Sequence, residues 1–360
     1  MPAHLLDIHE QQFDLLRPGT QKDNLQAWDA ADTYLIETLK QHPTQDYLIL
    51  NDNFGALGTT LQPQISAWIS DSKCALDSLT TNLSRNQLPN IDTYTALDEW
   101  PSNTQHAAMR LPKNLSYLKF QLHKLFNLGI TKVYLAGMMK HLPKNILDLL
   151  LKYGPVNRYP FKKKATIFEL DLEQSESSHY PRKNVFSGIK LTSHANVFGR
   201  DKLDHGAQFV LENIKSLPSV DTAADLCCGS GILGLAYLNK NPQCAMDFFD
   251  ESHMAVESAR LSTDTQTYKN TYFHWCDGIS DCQSTFDLIL CNPPFHEQHT
   301  VGDHIARRLF KDSKQHLHTG GKLIVVGNRH LNYHITLKQT FNHVQQIAAN
   351  KKFVLLSAHD

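Results

Sequence analysis

Several features are absent from this 360-residue sequence, and each absence excludes a class of protein. The seven cysteines are scattered without a Cys-x-x-Cys pair, so neither a disulfide framework nor a four-cysteine zinc site is expected. The expected location is the reducing cytoplasm. No apolar run approaches the roughly 20 residues that cross a bilayer, and the first residues lack the basic and apolar segments of a signal peptide. Because 41% of the residues are apolar, the chain is expected to fold, and its length predicts two domains.

Neither sign of charge is in excess over the whole chain, but the charges are unevenly distributed. The 35 Lys and Arg nearly balance the 36 Asp and Glu, whereas residues 101–200 hold 16 basic residues against 5 acidic ones. A basic segment of this kind favours a polyanionic partner, and the alternative is a set of solvated helix faces. The candidate contacts to phosphates are Lys162, Lys163, Lys164, Arg182, Lys183 and Arg200. For the three consecutive lysines, an exposed strand flank is the other interpretation.

A polar, serine-rich segment near the midpoint predicts a domain boundary. Residues 173–181 read Glu-Gln-Ser-Glu-Ser-Ser-His-Tyr-Pro, which is typical of a linker. We therefore predict one domain over residues 1–175 and another over residues 176–360. In both halves short apolar strands alternate with helical stretches, as in βαβ units with a mostly parallel sheet, so the predicted fold class is α/β.

The C-terminal half shows this alternation most clearly. A helix near residues 304–318 is expected to stop at Gly320-Gly321, because glycine commonly ends helices. Two strands around residues 344–348 and 352–358 are joined by a short polar turn at Asn350-Lys351. That connection is too short for a parallel crossover and predicts an antiparallel hairpin at the edge of the sheet.

Two features of this half are typical of nucleoside binding. Asp225 ends a strand that runs into a turn containing Gly229 and Gly231, and glycines let the backbone approach a ligand closely. Asp250 lies at the tip of the next strand, where a carboxylate can accept hydrogen bonds from both hydroxyls of a ribose. The glycines could also serve the turn alone, and Asp250 or Ser252 could cap the following helix.

The most specific motif is Asn292-Pro293-Pro294-Phe295, which follows an apolar strand. Two prolines stiffen the backbone, so the Asn292 amide oxygen and the Pro293 carbonyl become fixed hydrogen-bond acceptors. Phe295 then offers a flat face for stacking. These groups suit a planar amine such as the exocyclic amino group of a nucleobase, and a plain proline turn is the alternative.

The order of these motifs resembles that of class I methyltransferases that use S-adenosylmethionine and modify an amino nitrogen. The closer resemblance is to bacterial ribosomal RNA guanine-N2 methyltransferases of the methyltransferase G type, which modify the large ribosomal subunit and are related to the methyltransferase C type of the small subunit. The segments that favour the large-subunit type are residues 194–198 (His-Ala-Asn-Val-Phe), 292–299 (Asn-Pro-Pro-Phe-His-Glu-Gln-His) and 328–331 (Asn-Arg-His-Leu).

This resemblance implies two tandem Rossmann-like methyltransferase domains. The N-terminal one would be degenerate, with a structural or RNA-binding role, because Asn51-Asp52-Asn53-Phe54-Gly55 has one glycine and residues 58–180 contain no Asn-Pro-Pro-aromatic motif. The C-terminal one would be catalytic, with a mixed seven-stranded sheet. Its catalytic residues would be Asn292, Pro293 and Phe295, and its cofactor ligands would be Asp225, Gly229, Gly231, Asp250, Asp277 and Asn292.

Two positions in the C-terminal half need separate comment. Asp277 follows a strand end and is a candidate acceptor for the adenine amino group of the cofactor, although it could instead cap a helix. Cys227 stands where this family commonly has the first glycine of the cofactor turn. A Cβ is tolerable there only if the local φ is negative and the methionine part of the cofactor clears it, so a negative φ is expected at Cys227.

The expected product is N2-methylguanosine in 23S rRNA, with ribosomal RNA as partner, no membrane and no metal. The twenty histidines include no His-Glu-x-x-His motif, which argues against a metal site. The alternatives are methylation of 16S rRNA guanine, of an adenine amino group or of a release-factor glutamine, and a non-catalytic RNA-binding assembly protein.

Overall fold

A computed structural model describes residues 4–18, 25–42, 45–264, 266–294, 296–297, 300–301 and 303–360. The chain forms two compact units, Met1–His179 and Tyr180–Asp360. No helix within the described residues is both long and apolar enough to span a membrane.

The first unit contains nine strands and five α-helices in its described part. The strands are β1 (Leu5–Ile8), β2 (Gln11–Asp14), β3 (Tyr47–Leu50), β4 (Ile65–Ser70), β5 (Thr93–Thr95), β6 (His106–Arg110), β7 (Lys132–Met138), β8 (Val156–Arg158) and β9 (Ala165–Asp171). The helices are α1 (Ala30–Leu39), α2 (Ala56–Thr60), α3 (Lys73–Arg85), α4 (Leu115–Asn127) and α5 (Ile146–Leu150).

The second unit contains eleven strands and five α-helices in its described part. The strands are β10 (Arg182–Phe186), β11 (Ile189–Ser193), β12 (Thr222–Leu226), β13 (Ala245–Asp250), β14 (Thr271–Trp275), β15 (Phe286–Cys291), β16 (His296–Glu297), β17 (Thr300–Val301), β18 (Leu317–Asn328), β19 (His343–Ala349) and β20 (Phe353–His359). The helices are α6 (His205–Asn213), α7 (Ile232–Lys240), α8 (His253–Ser262), α9 (Asp303–Gln315) and α10 (Tyr333–Lys338).

Each unit is built on a seven-stranded sheet with the same strand order. The order is β5-β4-β3-β6-β7-β9-β8 in the first unit and β14-β13-β12-β15-β18-β20-β19 in the second. The first five strands of each order run parallel, and the last two pair antiparallel. The predicted α/β fold, with a mixed seven-stranded sheet and an antiparallel edge hairpin in the C-terminal half, is confirmed.

The central strands are apolar on both faces because helices cover the sheet on both sides. In β12, Ala223, Ala224 and Leu226 are fully buried, and they contribute to two apolar clusters on opposite faces. This is the usual pattern of a central parallel strand, whose alternating side chains both point into a core. The carboxyl ends of β12, β13 and β15 therefore meet at one edge, where doubly wound sheets bind their ligands.

The predicted helix stop at Gly320-Gly321 is wrong. Helix α9 ends at Gln315, and β18 already begins at Leu317. The two glycines lie where the pairing of β15 with β18 shifts register, and Gly320 has φ of +81°. A Cβ on Gly321 would come within 2.9 Å of the Phe286 carbonyl oxygen. The glycines therefore belong to a bulge in a strand. Glycine is common both at bulges and at helix ends, so the sequence alone does not distinguish the two.

Candidate active site

The glycine-rich turn connects β12 to α7 through three residues in the left-handed region. Cys227, Gly229 and Gly231 have φ of +62°, +56° and +81°. A Cβ on Gly229 would meet no atom within 4 Å, so this side of the turn is open. A Cβ on Gly231 would come within 3.1 Å of the Ala259 side chain, so this glycine also allows close packing of α7 on α8. The open backbone at Gly229 is suited to a closely approaching ligand.

The expectation of a negative φ at Cys227 is wrong. The residue takes the left-handed conformation usual for glycine, and its half-buried thiol lies beside Cys291. A hydrogen bond with the Cys291 side chain, and secondly desolvation, hold the pKa of Cys227 well above its ordinary value. The backbone path of the turn is thus kept without the glycine, at the cost of about 1 kcal/mol or more of local strain.

Asp225 is a buried carboxylic acid beneath this turn. The residue is only 1% exposed, and its Oδ2 accepts a hydrogen bond of 2.8 Å from the Gly234 backbone N–H. Within the described residues, its Oδ1 has no hydrogen-bond partner although it is buried. Burial raises the pKa of Asp225 to about 8, so this oxygen would gain from a cationic donor.

Asp250 lies at the end of β13 with both carboxylate oxygens held by backbone N–H groups. Its Oδ2 accepts from Gly229 at 2.9 Å, and its Oδ1 accepts from Ser252 at 2.9 Å. The N-cap of α8 is Ser252, whose hydroxyl accepts from the Ala255 N–H. Of the two residues predicted as alternative caps for this helix, Ser252 is therefore the one that caps it. The Asp250 carboxylate instead bonds to the glycine-rich turn.

Asn292 directly follows β15, on the strand next to the glycine turn. Parallel pairing places the last residue of β12 opposite the last residue of β15, so the two loops leave the sheet side by side. The Asn292 Nδ2 donates a hydrogen bond of 3.1 Å to Asp204 Oδ2. Its Oδ1 is buried and, among the described residues, has no hydrogen-bond partner. Pro293 is buried and Pro294 exposed, while Phe295 lies outside the described residues.

Asp277 faces an arginine of α9. Both Asp277 carboxylate oxygens accept from the Arg308 guanidinium, with a distance of 2.7 Å from Nη1 to Oδ2 and a second, shorter contact from Nη2 to Oδ1. This bidentate geometry fixes the plane of the carboxylate. That Asp277 accepts from an adenine amino group stays a prediction. Such a bond would use carboxylate lone pairs that are not engaged by Arg308.

The predicted RNA-binding residues lie in two groups, one in each unit. Lys162, Lys163 and Lys164 are exposed in the turn between β8 and β9, and Lys162 forms an ion pair with Glu37. In the second unit, Arg182 and Arg200 both contact Asp201, at 3.3 and 3.0 Å, and both lie over the ring of Tyr180. Lys183 is exposed on β10.

The first unit repeats the strand–turn–helix connection of the second. Gly55, with φ of +76°, precedes α2 as Gly231 precedes α7. Asn51, with φ of +59°, begins this turn as Cys227 begins the other. The two units therefore share a backbone path at the place where the second one has its glycine-rich turn.

The side chains of the first unit differ from those of the candidate site. Asp52 is buried under its own turn and accepts from the Gly58 N–H at 2.8 Å and from the Trp68 indole N–H at 3.2 Å. Arg110 follows Met109, which pairs with the last residue of β3. Asn292 has the same position in the second unit, because it follows Cys291, which pairs with the last residue of β12. A guanidinium has hydrogen-bond donors and no acceptor, so the side chain at this position of the first unit cannot accept from an amine.

Three residues shape these sites without belonging to a sequence motif, namely Asp204, Arg308 and Arg110. Asp204 could be recognised as a helix N-cap because it precedes α6, and its side chain does accept from the Ala207 N–H. Its contact with Asn292, 88 positions along the chain, has no local signal. The same is true of Arg308 and Asp277, which are brought together by the packing of α9.

Comparison with known proteins identifies the fold and then the family. The solved structure of the T. thermophilus 16S rRNA N2 G1207 methyltransferase, in complex with AdoMet and guanosine, has a TM-score of 0.78 to this chain at 17% identity and covers 100% of this chain and 98% of its own. A family model described as the methyltransferase small domain matches residues 188–357. The protein is therefore a class I methyltransferase, and the methyl donor of this class is S-adenosylmethionine.

The relatives extend over both units. A model described as the RLMG N-terminal domain matches residues 3–174. The ribosomal RNA large subunit methyltransferase G of Pseudomonas paraeruginosa is 39% identical over 96% of this chain and 97% of its own length. The protein of the same name from Aeromonas salmonicida is 38% identical over 98% of each chain. The chain belongs to the ribosomal RNA large subunit methyltransferase G family, as the resemblance predicted.

Proposed function

We propose that this protein transfers a methyl group from S-adenosylmethionine to the exocyclic N2 of a guanosine in 23S rRNA. The observation that carries the proposal is the match to large subunit methyltransferase G proteins along nearly the whole chain. The intact Asn292-Pro293-Pro294 loop beside the glycine-rich turn supports an amino nitrogen as the methyl acceptor. A ribosomal substrate also implies that the protein acts in the cytoplasm.

The residues at the carboxyl edge of the second sheet fit this cofactor. The open backbone at Gly229 would let the cofactor approach the turn. The buried Asp225 Oδ1, which has no hydrogen-bond partner among the residues that the structure describes, would accept from its ammonium group. Asp250, oriented by two backbone N–H groups at the end of β13, would accept from the ribose hydroxyls. When bound, the cofactor supplies a methyl group on a sulfonium, which is an electrophile without further activation.

Asn292 would act on the nucleophile. The lone pair of guanine N2 is delocalised into the ring, so the amine is weakly nucleophilic until it is oriented. An acceptor at Asn292 Oδ1 and another at the Pro293 carbonyl would hold the two N–H groups and stabilise the positive charge that develops on nitrogen. Stacking on Phe295 would offset part of the few kcal/mol needed to expose a base, and this role stays a prediction.

The two halves would divide the work. We propose that residues 1–175 form a domain that binds RNA or supports the fold, and that residues 176–360 form the catalytic domain. In the first unit, Arg110 takes the position that Asn292 has in the second, and it is paired with Asp29 and Asp32. An arginine side chain cannot accept a hydrogen bond, which supports a non-catalytic first domain. Lys162, Lys163, Lys164, Arg182, Lys183 and Arg200 would contact RNA phosphates.

Deletion of the gene tests the function directly. Mass spectrometric mapping of rRNA from the deletion strain should show the loss of one N2-methylguanosine from 23S rRNA, restored by the wild-type gene. Loss of a 16S guanosine methyl group would replace the large-subunit assignment. Loss of N6-methyladenosine, or no change in any rRNA, would contradict the guanine-N2 activity.

The lysine turn gives a separate prediction about RNA binding. The plot of log K against log salt has a negative slope, and each lost phosphate contact reduces its magnitude by about 0.7 to 0.9. The double variant Lys163→Ala and Lys164→Ala should therefore lower the slope by about 1.5, whereas Lys162→Ala should have a smaller effect because Glu37 already neutralises that charge. Titration of 23S rRNA fragments at several salt concentrations measures both.

The matched control is a double variant of exposed lysines outside the basic segment, Lys269→Ala and Lys351→Ala. It should leave the salt slope unchanged. Equal slopes for the two double variants would show that the turn at residues 162–164 does not contact RNA.

A further inference from the structure

Asp204 accepts two hydrogen bonds on the same oxygen. Its Oδ2 accepts from the Ala207 backbone N–H at 3.0 Å, which caps α6, and from Asn292 Nδ2 at 3.1 Å. The first bond fixes the position of the carboxylate at the start of a helix. The second ties that fixed point to the side chain proposed to contact the methyl acceptor.

A carboxylate at this place removes an ambiguity that an asparagine otherwise has. The oxygen and nitrogen of an amide are nearly equal in size, so rotation by half a turn exchanges a donor for an acceptor. An ionised carboxylate can only accept, so the Asn292 NH₂ group must face Asp204. The Asn292 Oδ1 is then directed away from Asp204, and among the described residues it lacks a hydrogen-bond partner.

We propose that Asp204 is a positioning residue for methyl transfer, because its carboxylate selects the amide orientation in which Asn292 offers an acceptor to the amino group. The proposal rests on the proposed function of Asn292. With the amide reversed, its NH₂ group would oppose the N–H groups of the substrate amine. The alignment of that amine would then be lost, and misplacement of a reacting group can cost about 100-fold in rate.

Gly206 leaves the space that this arrangement needs. A Cβ on Gly206 would lie 2.9 Å from Asp204 Oδ2 and 3.3 Å from Asn292 Oδ1. Glycine is unfavourable in a helix relative to alanine by about 1 kcal/mol, so its presence in the first turn of α6 calls for a reason. Room for the Asp204–Asn292 pair is such a reason.

The first unit also has a helix-capping aspartate bonded to a strand-end side chain, but that side chain is an arginine. Asp29 is the N-cap of α1, as Asp204 is of α6, and it accepts from Arg110 at 2.9 Å. Arg110 has the strand-end position that Asn292 has in the second unit. A helix-capping aspartate thus holds the strand-end residue in both units, and only the second unit places an amide there.

The test compares variants that keep the helix cap. Serine is as good an N-cap as aspartate but lacks the carboxylate, so Asp204→Ser should retain α6 and lower kcat by about 10- to 100-fold. Asparagine can place its oxygen where Oδ2 was, so Asp204→Asn should keep kcat within a few-fold. The melting temperature and the Kd for S-adenosylmethionine should change little in either variant. Asn114→Ser, at the N-cap of α4, is the matched control.

A second readout does not depend on activity. The side-chain amide signal of Asn292, assigned by its loss in Asn292→Asp, should show slow hydrogen exchange in the wild type and in Asp204→Asn, and fast exchange in Asp204→Ser. Wild-type kcat in Asp204→Ser, or unchanged exchange in that variant, would overturn the proposal. If the wild type itself does not methylate rRNA, the proposed function fails, while the exchange data still decide whether Asp204 orients the amide.

Discussion

Replacement of Asn292 by alanine is expected to lower kcat for methyl transfer by at least about 100-fold. The variant loses the buried Oδ1, which has no hydrogen-bond partner in the described part of the chain and would hold the guanine amino group. Removal of one preorganised hydrogen-bonding group from an active site costs about 100- to 1000-fold. The Kd for S-adenosylmethionine should stay within a few-fold, because the glycine-rich turn, Asp225 and Asp250 are unchanged. Single-turnover methylation of 23S rRNA and calorimetric titration of the cofactor measure the two quantities.

The control for this prediction is Asn127→Ala, which removes an exposed asparagine at the end of α4. It should leave both kcat and the cofactor Kd unchanged. Methylation by Asn292→Ala at the wild-type rate would refute the role of the asparagine loop. A large loss of cofactor affinity would instead move Asn292 from the substrate side of the site to the cofactor side.

Replacement of Asp225 by asparagine is expected to separate stability from function. Burial raises the pKa of Asp225 from an ordinary 3.8 to about 8, so the folded state binds this proton more tightly than the unfolded state. Between these two pH values, the free energy of unfolding falls as pH rises, by up to about 1.4 kcal/mol per pH unit from this group. The amide introduced at this position carries no charge at any pH, so Asp225→Asn should unfold at a higher temperature than the wild type at pH 8 without cofactor.

The same substitution should weaken cofactor binding by at least about tenfold. The Oδ1 of Asp225 is the buried oxygen that a cationic donor would neutralise, and the amide offers no negative charge in its place. Thermal unfolding from pH 4 to pH 8 and calorimetric titration of S-adenosylmethionine measure the two effects. A cofactor affinity equal to that of the wild type would show that this oxygen does not contact the cofactor.

Asp52→Asn provides a matched control from the first unit. Asp52 is buried beneath the equivalent turn, accepts from a helix glycine as Asp225 does, and burial raises its pKa to about 6. Its removal should alter the pH dependence of unfolding over the narrower range from 3.8 to about 6 and leave the cofactor Kd unchanged. A parallel loss of cofactor affinity in both variants would indicate a second cofactor site in the first unit.

Motifs close together in the sequence were informative because strands and tight turns depend on neighbouring residues. The apolar strand before Gly229 and Gly231, and the short polar turn at Asn350-Lys351, predicted the glycine-rich loop and the antiparallel edge hairpin. The Asn-Pro-Pro-Phe motif likewise pointed to an acceptor loop at a strand end. Prediction failed where one residue type serves several structures: the glycines at 320–321 form a bulge, and Cys227 takes a conformation usual for glycine.

What the sequence by itself determined is the class of the protein, the place of the Asn-Pro-Pro motif after a strand and the alternation of strands and helices. These depend on residue type and local spacing, which the chain carries along its length. Only the tertiary structure decided which distant side chains complete the site: Asp204 on Asn292, Arg308 on Asp277, and Arg110 in the place of an acceptor in the first unit. A hydrogen bond across 88 residues depends on strand order and helix packing, and those follow from the folded core as a whole.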